Sequence, residues 1–106
     1  MLGEEKAKEF LENIKPLMEQ IALIHHQAYY EYKPQVETLI SSRVRNDNTI
    51  QHLLDHLLEH ACNEEVLLLY KKLCRYYWDI NPQATVDYVN YYREMWDNED
   101  TIESEN

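Results

Sequence analysis

Three histidines, His52, His56 and His60, recur at every fourth residue, with Asp55 and Glu59 between them. On a helix, side chains four apart project from one face, so two such imidazoles could chelate one metal ion. The run His56-Leu57-Leu58-Glu59-His60 matches H-x-x-E-H, the inverted zinc-protease pattern. That chemistry requires a third ligand and a substrate cleft on a larger scaffold, and the chain assigns neither. Leu53, Leu54, Leu57 and Leu58 claim the core side of the same helix and displace the histidines toward its polar side. The expectation is therefore a solvated helix face. A metal-dependent hydrolase with His56 and His60 as ligands is the alternative.

One of His25 and His26 lies on the apolar stripe of an earlier helix. A lone histidine there is expected to be hydrogen-bonded at the edge of the core. There is no nucleophile elbow, no phosphate-cradling loop and no cysteine pair at metal spacing. A single glycine leaves no backbone cradle for a nucleotide, and no cofactor is expected. Twenty acids offer many carboxylate pairs, but nothing singles one out as an acid and base. The chain is expected not to be an enzyme.

The aromatic residues carry more information. Nine Tyr and two Trp stand against one Phe. They bunch at Tyr29-Tyr30-Tyr32, at Tyr76-Tyr77-Trp78, and at Tyr88, Tyr91, Tyr92 and Trp96. A helix buries one stripe, so Tyr76 and Tyr77 cannot both point inward, nor can Tyr91 and Tyr92. Some hydroxyls must reach water or a partner. Tyr76, Tyr77, Trp78, Tyr88, Tyr91, Tyr92 and Trp96 are thus candidate partner-binding residues, of the types that dominate binding hot spots. The simpler reading puts each Tyr at a core edge with its hydroxyl wetted.

Helices must position these side chains. Ala7, Leu11, Ile14, Met18 and Ile21 alternate four and three residues apart, with Phe10, Leu17 and Ile24 beside them. Ala28 and Tyr32 extend this stripe and His25 interrupts it. A helix is predicted from about Glu4 to about Tyr30, kinked or divided at Pro16. Pro34 opens a second, with Val36, Leu39, Ile40 and Val44 as its apolar face. After a turn over 43–48, Asn48 or Thr49 caps a third, built on Ile50, Leu53, Leu54, Leu57 and Leu58. Asn63 caps a fourth, with Val66, Leu67, Leu69, Tyr70, Leu73, Cys74, Tyr77 and Trp78 apolar. The clearest punctuation is Asn81-Pro82, where a cap and an N1 proline open a fifth. Ala84, Val86, Tyr88, Val89, Tyr92, Met95 and Trp96 supply that helix's apolar surface.

The predicted fold is all-α: a compact bundle of about five helices over residues 1–97, followed by a short, disordered acidic tail at 98–106. The length of 106 residues suits one domain with a single core. The net charge is −10, and half of it comes from Asp97, Glu99, Asp100, Glu103 and Glu105 at the C-terminal end. Such a chain repels phosphates, so direct nucleic-acid binding is not expected. A basic protein partner is the better electrostatic match. Glu4, Glu5, Glu9, Glu12 and the tail acids could mimic DNA phosphates, although a charge run is usually a solvated face. Cys62 and Cys74 form no disulfide framework. The N-terminus shows no signal peptide and no segment long enough to span a membrane, so a cytoplasmic protein is expected.

Lys-Leu-Cys-Arg-Tyr-Tyr at 72–77, Ile-Asn-Pro at 80–82 and Tyr-Arg-Glu-Met-Trp-Asp at 92–97 resemble small, uncharacterised acidic proteins carried by phages and conjugative elements of Gram-positive bacteria. The likeness covers about a quarter of the chain and carries no functional residue with it. It implies context only, since such proteins often inhibit host defence or regulate by binding. The leading expectation is a non-enzymatic protein-binding module, an acidic inhibitor of a basic, nucleic-acid-handling host protein such as a defence nuclease. A structural homo-oligomer, pairing through its aromatic patch, is a further alternative.

Overall fold

The computed structural model describes residues 2–97, so the predicted tail at 98–106 lies outside them. Four helices make up the described residues: α1 Leu2–Ser41, α2 Asp47–Glu59, α3 Glu64–Trp78 and α4 Pro82–Met95. The fold is all-α, as the sequence predicts, but the first two predicted helices are one. α1 runs 40 residues straight through Pro16 and Pro34. A proline removes one backbone hydrogen bond and disfavours the helical conformation just before it. At Pro34 that cost is offset by packing on both sides. Ala28 precedes it, Val36 and Leu39 follow it, and all three are buried in the same core. No helix among the described residues is long and apolar enough to cross a membrane.

α2, α3 and α4 each begin where a side chain satisfies the first N–H groups. Asn46, two residues before the nearer of the two predicted caps, accepts from Thr49 N and opens α2. Asn63 accepts from both Glu65 N and Val66 N at α3, and Asn81 accepts from Ala84 N at α4, with Pro82 behind it. α1 closes with Arg43 in the left-handed region at φ 54°. Val44 N reaches back to Leu39 O and Arg43 N to Ile40 O, the paired bonds of a Schellman closure.

α3 is the centre of the bundle and packs against α1, α2 and α4. Its Val66, Leu69, Tyr70, Leu73, Cys74 and Tyr77 meet Ile50, Leu53, Leu54, Leu57 and Leu58 of α2 in one core. α4 departs from its predicted face. Only Thr85 and Tyr88 are buried along it, while Val86, Val89 and Met95 stay exposed. Thr85 is admitted because its hydroxyl donates to Asn81 O, which leaves no bare polar group inside.

The lengths of the elements decide what remains outside. α2, α3 and α4 have 13, 15 and 14 residues. At about 1.5 Å per residue each spans roughly 20 Å, against about 60 Å for α1. The longest extent, 61 Å, matches the length of α1. The body therefore covers α1 from about residue 25 onward. From Gly3 to Ile24 every residue is exposed except half-buried Ile14.

Candidate functional site

The histidines form two pairs, and His56 and His60 belong to different ones. His60, the C-cap of α2, meets His25 of α1 with Nδ1 to Nδ1 at 2.9 Å. His56 meets His52 on its own helix, Nε2 to Nε2 at 3.1 Å. Tyr32 lies between, its ring stacked on His56 at 5.8 Å and tilted to His60 at 6.2 Å. Among the described residues no group of three or more His, Cys, Asp or Glu is arranged to hold a metal ion. Two nitrogens fall short of the three or four ligands that a zinc site uses. His26 sits apart, 3.2 Å from a Glu65 carboxylate oxygen.

In the His25–His60 contact one ring must donate and the other accept. A second proton would turn two N–H groups against each other. Burial, then the charge of His25, hold His60 below its ordinary value of 6.5, against the opposing pull of Glu59 and Glu31. The folded chain thus prefers neutral His60, and the unfolded chain binds more protons as the pH falls through 6.5. Stability from this site is complete above that pH and declines below it. The melting temperature is expected to fall between pH 7.5 and pH 5.5. His60→Asn should flatten that slope; an unchanged slope would contradict the assignment. Asp47 acts in a separate, more acidic window, because hydrogen bonds from Tyr77 and Asn81 hold its carboxyl below 3.8.

Most of the candidate aromatic residues of α3 and α4 are tied into the fold. Tyr77 is fully buried; its hydroxyl donates to Asp47 and accepts from Gln51 Nε2 at 2.8 Å. Tyr88 is buried and donates to Asp55 at 2.7 Å. Tyr76, half-buried, donates to Val44 O at 2.6 Å, and Tyr70 to Tyr88 O at 2.6 Å. Burial raises the Tyr70, Tyr77, Tyr88 and Tyr92 hydroxyls above their usual range, so these stay neutral. Burial likewise pushes the Cys74 thiol up to about 12, where it is a packed hydrophobe and no nucleophile. Trp96 keeps an exposed edge but ties its indole N–H to Leu58 O at 2.7 Å. Of the seven aromatic candidates only Trp78, Tyr91 and Trp96 are exposed.

The larger bare surface is on α1. Phe10, Leu11, Leu17, Met18, Ile21 and Ile24 are 47–62% exposed along one side of its projecting half. Scattered single apolar residues on a surface need no explanation, but a contiguous stripe of six does. The residue pattern showed this stripe clearly, yet it reads as a core face. Its period also carries a second reading, beyond that of a core face. Positions 7, 11, 14, 18, 21, 25, 28 and 32 alternate four and three without a break, a 3.5-residue repeat that lays a seam for another helix. Among the described residues, this stripe is buried against the chain's own body from His25 onward. At the junction, Met18, Ile21, Ala22, His25, Cys62 and Asn63 line an open pocket of about 380 Å³.

The chain matches no protein-family model, no curated protein and no solved structure.

Proposed function

We propose that this chain is a non-enzymatic protein-binding module whose binding element is the projecting half of α1. The observation that carries this reading is the six-residue apolar stripe on the half of α1 that no other element among the described residues covers. A helix presenting residues at i, i+3, i+4 and i+7 docks by laying that face against another apolar helix or groove. The acidity of the chain supplies no comparable address. On the projecting half of α1, Glu4, Glu5, Glu9, Glu12 and Glu19 are interspersed with Lys6, Lys8 and Lys15, a mixed rim that selects no strongly basic partner by itself. Inhibition of a basic host protein, and the mobile-element context suggested by residues 71–97, remain compatible with such a module and add no residue to it.

The test is affinity capture with the full chain at low and high salt. Three baits are compared: the native sequence, Leu11→Glu with Met18→Glu, and Trp78→Ala with Tyr91→Ala. The reading requires capture that tolerates salt, is lost in the first variant and persists in the second. Capture that survives the α1 variant and fails in the aromatic one would return the site to α3 and α4.

A further inference from the structure

We infer a site for a late first-row divalent metal ion, copper(II) above all, held between His52 Nε2 and His56 Nε2 on the wall of the open pocket between α1 and α2. The site is independent of the α1 stripe.

The donors come first. The two Nε2 atoms lie 3.1 Å apart. With metal–nitrogen bonds of about 2.0–2.1 Å, one ion bound to both would subtend roughly 100°, an angle open to tetragonal and tetrahedral ions alike. The number of ligands decides between them. Two imidazoles and no third ligand among the described residues cannot make a zinc site. A tetragonal copper(II) ion takes nitrogen and oxygen donors and can complete its plane with water. Copper(II) also stands above nickel(II) and zinc(II) in affinity for a given set of such donors.

The helix holds the donors in place. Ile50, Leu54 and Leu57 are fully buried along α2, so the core fixes the four-residue spacing before any ion arrives. Tyr32 of α1 stacks on His56 with its ring 17° from parallel, which holds that imidazole. His52 is exposed and stands edge-on to His56 at 87°, so it can turn toward the ion. In the pair as it stands, one nitrogen donates its proton to the other. An ion needs both lone pairs, and the donor ring frees its own by moving that proton to Nδ1.

There is also room. Both rings line an open pocket of about 730 Å³, together with Glu31, Tyr32, Gln35 and Leu53. Water can therefore reach the remaining positions of the ion, and the Glu31 carboxylate brings negative charge to the same pocket. The His25–His60 pair differs on each count. Its rings come from two helices and meet through Nδ1, the nitrogen beside the main chain, and both are half-buried. Fewer positions there stay open to water.

Titration calorimetry of the full chain with copper(II), nickel(II), zinc(II) and magnesium chlorides tests the site. All samples carry Cys62→Ser, because the exposed Cys62 thiol would itself take copper. One equivalent of copper(II) is expected to bind with a Kd of about 10 μM or tighter. Nickel(II) and zinc(II) should bind more weakly, and magnesium not at all. Pulsed electron paramagnetic resonance should count two imidazoles on the copper. His52→Ala and His56→Ala should each weaken binding by about tenfold or more and leave one imidazole, with unchanged circular dichroism. His25→Ala, which breaks the other pair, should change neither affinity nor count. A Kd weaker than about 100 μM, or several equivalents of similar affinity, would mean an adventitious ion only and overturn the site. So would zinc(II) binding more tightly than copper(II), copper binding that survives His52→Ala or His56→Ala, or binding lost in His25→Ala.

Discussion

A chain carrying Leu11→Glu and Met18→Glu is expected to lose partner binding by about 10²- to 10⁴-fold while its fold and melting temperature stay as they are. Leu11 is 62% exposed and Met18 60% exposed in the isolated chain, so neither contributes much to its core. Surface substitutions of this kind usually change stability by no more than about 0.5 kcal/mol. In a complex the same positions leave water. Burying a Leu or Met side chain is worth about 1.5–3 kcal/mol, so losing two costs roughly 3–6 kcal/mol of association. That range corresponds to the stated loss in affinity. A carboxylate forced into an apolar seam adds to it, because an unpaired buried charge is costly. The separation of the two readouts gives the variant its value. A core position would lower both stability and binding. Gel filtration, thermal melting and capture on one preparation resolve the two.

The opposite separation is expected at Leu73. This side chain is fully buried at the middle of α3, the helix that touches the other three. Leu73→Ala removes apolar contacts and leaves a cavity that its neighbours cannot fully close, for a loss of about 3 kcal/mol. For a domain of this size that lowers the melting temperature by roughly 10–20 °C. Below its own transition the variant should still bind through α1, since residues 3–24 take no part in the core. Denaturant titration gives the free energy, and capture well below the midpoint gives the binding. A loss under about 1 kcal/mol would mean that α3 is not the organising element.

The comparison of Leu11 with Leu73 also shows what the residue pattern discloses. The cores of α2 and α3 were legible, because Ile50, Leu53, Leu54, Leu57 and Leu58 repeat at helical spacing between real caps. Asn63 and Asn81 were legible as caps because Asn before an acidic or proline-led turn does one job. The unbroken α1 was not. Local chemistry at Pro34 argues for a new helix, and only the packing of Ala28, Val36 and Leu39 into one core overrides it. The partners of Tyr77 and Tyr88 were hidden for a related reason. Composition shows that a tyrosine hydroxyl needs a partner, and only the fold shows that Asp47 and Asp55 of α2 supply it. His25 and His60 are 35 residues apart, a distance at which spacing carries no information about contact. The α1 stripe was visible as a pattern. Its bareness depends on the lengths of three other helices, which no single window of sequence contains.

Amide hydrogen exchange across residues 7–24, measured with and without a captured partner, tests the central claim most directly. An isolated helical segment of this length, weakened by the hydrogen bond that Pro16 removes, is only marginally stable in water. In the chain alone those amides are expected to exchange far faster than the amides of 66–77. With a captured partner their protection should rise while that of 66–77 does not change. Strong protection of 7–24 in the chain alone would mean that the chain covers its own stripe. Fast exchange that no captured protein slows would mean that nothing docks there, and either result would contradict the account.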